Sequence, residues 1–272
     1  MPRVLELFSG TGSVGKCCKE LGWDVVSLDR DMDADIMCDI MDFNYKEFPK
    51  DSFDIIWASP ECRAYSNLKN CWIGRELKDG KIFTKEKMNK DMDDNDKIIK
   101  RTLKIINYFK PYLTWWFMEN PQTGRLKDRK VMQGLPYYDV DYCKYGFNYK
   151  KRTRIWTNKK NFNNLLCNND CDAMIIIPTN GAIRNDTKKP IKCDNRFVHI
   201  NNLGCNERLK AIQTHATNLG GHKYFLGGKT NKHKQTLGGK NTINQKVVAG
   251  GGTNRLESYR IPPDLIYSLF LD

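Results

Sequence analysis

Residues 4–15 read VLELFSGTGSVG, an apolar run followed by glycines at 10, 12 and 15. Val4 to Phe8 has the continuous apolar character of a short buried strand, and Ser13 to Leu21 has helical periodicity ended by Gly22. The glycines between them satisfy G-x-G-x-x-G: a tight strand-to-helix turn needs positive φ, and bare backbone lets a ligand approach closely. Asp24 to Leu28 forms a second strand, and Asp29, nineteen residues after Gly10, stands at its end. A carboxylate there accepts hydrogen bonds from ribose hydroxyls, so the turn and the acid together imply an adenosine-containing ligand.

Outward from this unit, Phe53 to Ala58 and Trp115 to Met118 are further strands, with Tyr138 to Phe147 and Thr153 to Trp156 as strand-like runs. A helix from about Asp94 to Phe109 has Ile98, Ile99, Leu103, Ile106 and Phe109 at helical spacing. Alternating strands and helices predict an α/β fold, a Rossmann-like, doubly wound, mostly parallel sheet whose ligands bind at the carboxyl ends of the strands. Residues 1–157 are expected to form this domain, 158–255 a basic second region, and 256–272 a proline-started helix packing back on the first domain.

The chain has 272 residues, enough for one sizeable domain and a smaller one. Ten cysteines without an evenly spaced framework or a recognisable signal peptide predict a reducing, intracellular setting. No apolar run is long enough to span a bilayer, so a soluble protein with no membrane partner is expected. Thr157 to Arg255 hold 16 Lys and Arg against 5 Asp and Glu, hence +11 of the chain's net charge of +13. So local an excess of positive charge points to a polyanion, most simply nucleic acid.

Two strand ends carry chemistry. Trp57 to Ser66, WASPECRAYS, places Cys62 just past the third strand with Pro60 stiffening the turn. A lone cysteine is usually a small buried hydrophobe. Here the next strand ends in Glu119-Asn120-Pro121, which brings a carboxyl and an amide to the same sheet edge. A thiol nucleophile and a carboxylic acid facing an adenosine site make a constellation for covalent catalysis.

In order, FSGTGS at 8–13, Asp29, Asp39, SPEC at 59–62, ENP at 119–121 and KKRTRIW at 150–156 resemble the DNA (cytosine-5) methyltransferases, in the compact form typical of phages and large DNA viruses. The resemblance covers residues 3–157 well and the remainder loosely. It implies the fold of S-adenosylmethionine-dependent methyltransferases and a monomer acting on double-stranded DNA. S-adenosylmethionine would be held by Phe8, Ser9, Gly10, Thr11, Gly12, Ser13, Asp29, Asp39 and Pro60. Cys62 would attack carbon 6 of a flipped-out cytosine, Glu119 would hold or protonate ring nitrogen 3, and Asn120 would orient that corner. Arg152 and Arg154, alternating on a strand, would grip the base carbonyl and the adjacent phosphate. The lysine-rich segment from Arg63 to about Lys90 is expected to be a mobile lid over the DNA.

The chain departs from the family pattern at Glu61, which stands where a second proline is usual, and at Pro121 and Lys150, which replace a valine and a glutamine. The closing Asn-Ser motif is absent. A carboxylate beside the nucleophile disfavours a thiolate if it turns inward. The basic segment would read the target, and its Leu-Gly-Gly steps at Leu219, Leu226 and Leu237 are too unevenly spaced for a repeat fold. Within it Cys167, Cys171, Cys193, His199 and Cys205 offer ligands for a structural zinc, with Cys167, Cys171, Cys193 and His199 as the candidate set. The same chemistry on RNA, a DNA-binding homologue impaired in turnover, and a nicotinamide enzyme built on the glycines alone are the competing readings.

Overall fold

A computed structural model describes residues 1–147, 149–168, 170–171, 174–177, 196–199 and 260–271, with the two short strands 174–177 and 196–199 described by their backbone. The chain divides into two compact units: Met1–Val140, Arg152–Leu165 and Ile261–Asp272 make the first, Asp141–Lys151 and Leu166–Arg260 the second.

The first unit is built on a sheet. Strands β1 (Arg3–Leu7), β2 (Asp24–Asp29), β3 (Ile36–Met37), β4 (Ile55–Ala58), β5 (Trp115–Pro121), β6 (Tyr137–Asp141) and β7 (Arg152–Thr157) take the order β3-β2-β1-β4-β5-β7-β6. The pairs from β3 to β5 are parallel, whereas β7 runs antiparallel to β5. Helices α1 (Ser13–Glu20), α2 (Lys85–Phe109) and α3 (Pro263–Leu271) complete it. This is the doubly wound, mostly parallel sheet that the alternating pattern predicts. The second unit contains the antiparallel pair β8 (Met174–Ile177) and β9 (Arg196–His199).

Both faces of the sheet are covered, which is why its central strands read as continuous apolar runs. Leu5, Leu7, Ile56, Ala58, Trp116 and Met118 join Ile99, Ile105, Ile106 and Phe109 of α2 in the main core. On the other face the ring of Phe270 in α3 lies 5.4 Å from Phe117, 6.2 Å from Trp57 and 5.6 Å from Trp23. Lys159 donates to the carbonyl of Leu269 near the end of α3, where a cation complements the helix dipole.

Two expectations need correction. Helix α2 begins at Lys85, capped by the Thr84 hydroxyl, rather than at Asp94. Its early apolar face is made by Met88 and Met92 among charged neighbours, too sparse for the pattern to stand out. The run Tyr138 to Phe147 is a strand only as far as Asp141; a 3-10 turn, Tyr142–Tyr145, follows and closes on Gly146 at φ 86°. The Leu-Gly-Gly steps, Cys193 and Cys205 lie outside the described residues.

Helix α1 lacks a side-chain cap of its own, because its N-cap is Gly12. Glu6, buried on β1, supplies one from beneath: Oε1 accepts from the Val14 amide at 3.2 Å and Oε2 from the Gly15 amide at 2.9 Å. The approach depends on Gly15, since a Cβ there would lie 2.6 Å from Glu6 Oε2 and 3.3 Å from Val25 Cγ1. Burial pushes the Glu6 carboxyl up to about 7, against the two amides that favour its ionised form. The native state therefore keeps a proton that the unfolded chain releases near 4.5, and this contribution to stability is present below that pH and lost as pH rises through about 7. Glu6→Gln removes the titration. In urea unfolding, the wild type is expected to lose on the order of 2 to 3 kcal/mol relative to Glu6→Gln between mildly acidic and mildly basic pH. Parallel pH profiles for the two proteins would exclude Glu6 as the titrating group.

Candidate active site

The register of the sheet assembles the site. Leu28, Leu7, Ala58 and Met118 stand side by side across four strands. One residue further on, the edge row is Asp29, Phe8, Ser59 and Glu119. With strands about 4.8 Å apart, Asp29 and Glu119 bound a row about 14 Å long. The glycine turn, the Cys62 loop and the Glu119 strand end thus share one edge.

At the turn, Phe8, Gly10 and Gly12 have φ of 58°, 54° and 66°. For Phe8 this left-handed conformation costs about 1 kcal/mol or more, the kind of strain that collects at functional sites. Asp29 holds the turn: Oδ2 accepts from the Gly10 amide at 2.9 Å, while Oδ1 accepts from the amides of Asp31 and Met32. A carboxylate offers about four acceptor positions, so these three bonds leave Asp29 with about one for a ligand. Ser9 is buried, and its Oγ has no partner among the described residues. Thr11 and Ser13 hydroxyls meet at 3.1 Å. Asp39 accepts from the Met41 amide and lies 3.4 Å from Arg30, which also pairs with Asp31.

At the centre of the row, Trp57 Nε1 donates to Ser59 Oγ at 2.8 Å, and Asn120 Nδ2 donates to the Pro60 carbonyl at 2.9 Å. Asn120 is buried, and its Oδ1 has no partner among the described residues. Cys62 is partly exposed and begins the 3-10 turn Arg63–Tyr65, with the Tyr65 amide donating to its carbonyl. Tyr65 is fully buried and donates its hydroxyl to Asp96 of α2, which anchors the turn. Glu61 turns outward to Arg63, Oε1 to Nε at 2.9 Å, so the departure from proline places an exposed ion pair beside the thiol. Glu119 is buried on β5, next to Asn120.

The structure separates the two arginines. Arg152 is exposed at the start of β7. Arg154 forms a two-pronged ion pair with Asp139, at 2.7 and 2.8 Å, and its guanidinium carbon lies 3.5 Å from the Tyr137 ring centroid. A cross-strand carboxylate thus engages Arg154, whereas Arg152 is the more exposed of the two.

The segment after Cys62 is also more firmly tied than a mobile lid. Asn67 and Asn70 accept from Arg125, and Lys69, expected to reach DNA, is buried against Asp91 at 2.9 Å. Residues from Lys85 onward belong to α2. Between them a turn closed by the Gly74–Phe83 and Phe83–Arg75 backbone bonds leaves Leu68, Trp72, Ile73 and Ile82 exposed. Of the candidate zinc ligands, Cys167 and Cys171 come together with Cys143, which the spacing did not suggest; Cys193 lies outside the described residues and His199 is described by backbone alone. Glu6 is the other contributor that the motifs did not reveal.

Comparison with known proteins adds the relationship. No family model matches the chain. A protein of Frog virus 3 (isolate Goorha), named a probable DNA (cytosine-5)-methyltransferase, is 37% identical over 188 residues, which span 67% of this chain and 83% of the relative. Among solved structures, the Entamoeba histolytica methyltransferase EhMeth is 16% identical with a TM-score of 0.42, covering 61% of this chain and 56% of that one. The S. pombe Dnmt2 methyltransferase is 15% identical with a TM-score of 0.39, covering 59% and 51%. The chain thus spans about half the length of these solved structures. On the strength of the viral relative, matched over most of its own length, the chain belongs to the DNA (cytosine-5)-methyltransferase family.

Proposed function

We propose that the protein transfers a methyl group from S-adenosylmethionine to carbon 5 of a cytosine flipped out of double-stranded DNA, through a covalent adduct of Cys62 with carbon 6. The observation that carries this reading is the common sheet edge on which the glycine turn, Cys62 and Glu119 stand, with Asn120 joined to Pro60 across it. DNA as substrate is supported by the name of the viral relative and by the concentration of positive charge after Thr157.

The residues present fit the cofactor. The buried hydroxyl of Ser9, without a partner among the described residues, the left-handed backbone at Phe8, Gly10 and Gly12, and the remaining acceptor position on Asp29 together suit a polar ligand on the turn. Phe8 to Ser13 and Asp29 would hold its methionine and ribose portions, with Asp39 and Pro60 at the adenine side. When bound, S-adenosylmethionine supplies an electrophilic methyl group.

Carbon 5 of cytosine is a poor nucleophile while the ring is aromatic. Bonding of the Cys62 sulfur to carbon 6 moves a ring electron pair toward nitrogen 3, where Glu119 holds or donates a proton, and leaves carbon 5 as the nucleophilic end of an enamine. Once the methylated carbon 5 has lost its proton, expulsion of the thiolate restores the aromatic ring and frees Cys62. Asn120 positions the loop that carries the thiol. Glu61 is paired outward with Arg63, so its own negative charge is matched beside the thiolate. Arg152, exposed at the start of β7, is the guanidinium that would meet the base or its phosphate, and Arg154 stiffens the strand through Asp139. Flipping costs on the order of a few kcal/mol of unstacking and unpairing. The exposed Leu68, Trp72, Ile73 and Ile82, beside Arg75, Lys78 and Lys81, form a surface that can replace those contacts and meet the phosphates.

Wild type incubated with S-adenosylmethionine and duplex DNA containing 5-fluorocytosine is expected to form a denaturation-resistant adduct that Cys62→Ala lacks. Adduct formation or methyl transfer undiminished in Cys62→Ala would remove the nucleophile, and adducts with an RNA duplex in place of DNA would overturn the substrate. Glu119→Gln is expected to lower single-turnover methylation by about 100- to 10,000-fold while DNA binding persists; an unchanged rate would remove Glu119 from proton transfer. Asn120→Ala leaves the Pro60 carbonyl without its buried partner. It is expected to cost about 1–3 kcal/mol in urea unfolding and to slow adduct formation, whereas unchanged adduct kinetics would show that the clamp does not position Cys62.

A further inference from the structure

We propose that Cys143, Cys167 and Cys171 bind a structural zinc ion through three thiolates, at a site separate from the methyl-transfer centre and independent of that reading. Their sulfur atoms all lie within 4.8 Å of one another. Tetrahedral zinc with Zn–S distances of about 2.3 Å holds its sulfurs about 3.8 Å apart, so small χ1 adjustments close this arrangement on an ion. All three residues are buried, and none is in a disulfide.

Packing alone gives a poor account of the cluster. Cysteines buried as small hydrophobes usually sit among aliphatic and aromatic side chains. Among the described residues these three form a buried apolar group of their own, separate from the main core. Three thiols bury too little apolar surface to hold loops together, whereas a zinc ion closes a loop and contributes folding free energy directly.

The backbone that presents the thiols is fixed from both sides. Cys143 lies in the 3-10 turn Tyr142–Tyr145, which Gly146 ends in a left-handed conformation. The Cys167 amide donates to the buried carboxylate of Asp141 at 2.9 Å, and the Cys167 carbonyl accepts from Lys150 Nζ at 2.7 Å. Lys150 also lies 3.5 Å from Asp141, and Lys144 pairs with Asp170 at 3.3 Å. Such outer contacts orient metal ligands. Zn²⁺ displaces three thiol protons to solvent, and the Zn²⁺–trithiolate unit carries one net negative charge, beside two lysines. The fourth tetrahedral position would be filled by water or by another donor. The ion would join the two stretches of the second unit, Asp141–Lys151 and Leu166–Arg260, where they meet.

Full-length protein purified in reductant and dialysed is expected to retain about one zinc ion per chain by elemental analysis. Cys143→Ser and Cys167→Ser should each lose the ion, while the exposed Cys71→Ser keeps it. Should the serine variants fail to fold, the wild type decides. Cobalt exchanged into it should show thiolate-to-metal charge-transfer absorption, and zinc-edge absorption fine structure should show at least three sulfurs at about 2.3 Å. Wild type without metal and without a cobalt–thiolate signature overturns the proposal. So does a disulfide between any two of the three cysteines in protein isolated under reducing conditions, or zinc retained by a folded Cys143→Ser.

Discussion

The buried contact between Glu6 and the amides of Val14 and Gly15 is the constraint on which the first unit turns. It caps a helix that has glycine where a capping side chain would stand, and it fixes the angle at which the chain leaves β1. Gly15 permits it by having no Cβ. With that exit fixed, Gly10 and Gly12 curl back far enough for Asp29 to accept from the Gly10 amide, and the turn becomes part of the edge formed by β1 and β2. The burial that raises the Glu6 carboxyl toward 7 is the cost of this arrangement, offset in part by two hydrogen bonds.

From this edge the sheet register carries the remaining groups into one row. Parallel pairing of β1, β4 and β5 aligns Leu7, Ala58 and Met118, so the residues that follow them are neighbours although they are up to 111 positions apart. Asn120 then ties the loop after β4 to the end of β5. The substitution of glutamate at position 61 is accommodated without crowding the thiol, because Arg63 draws the carboxylate outward. The same logic takes Arg154 out of the exposed set: Asp139 engages its guanidinium, and Arg152 is left at the surface.

Much of the fold was legible because buried parallel strands are short apolar runs bounded by turn residues, and β1, β2, β4, β5 and β7 announce themselves in that way. The start of α2 was not, since two methionines among lysines and aspartates make a faint stripe that gains meaning only against Arg125 and the loop after Cys62. Tyr142 to Tyr145 has the aromatic content of a strand, yet it turns back because Gly146 allows a left-handed exit. Cys143 was invisible as a partner of Cys167 and Cys171 for a similar reason: 24 residues separate it from the nearer of them, and a turn with no ligand-like spacing delivers it.

By itself the sequence determined the glycine turn and its acid, the strand ends bearing Cys62 and Glu119, the concentration of positive charge after Thr157, and the resemblance of these ordered motifs to one family. These are short-range signals, set by backbone preference and by apolar runs of a few residues. Only the tertiary structure decided that Glu6 caps α1, that Asn120 clamps Pro60, that Asp139 holds Arg154 and that three distant thiols converge. Each of these is a contact across strands or loops, chosen by the burial and pairing of polar groups that no local pattern encodes.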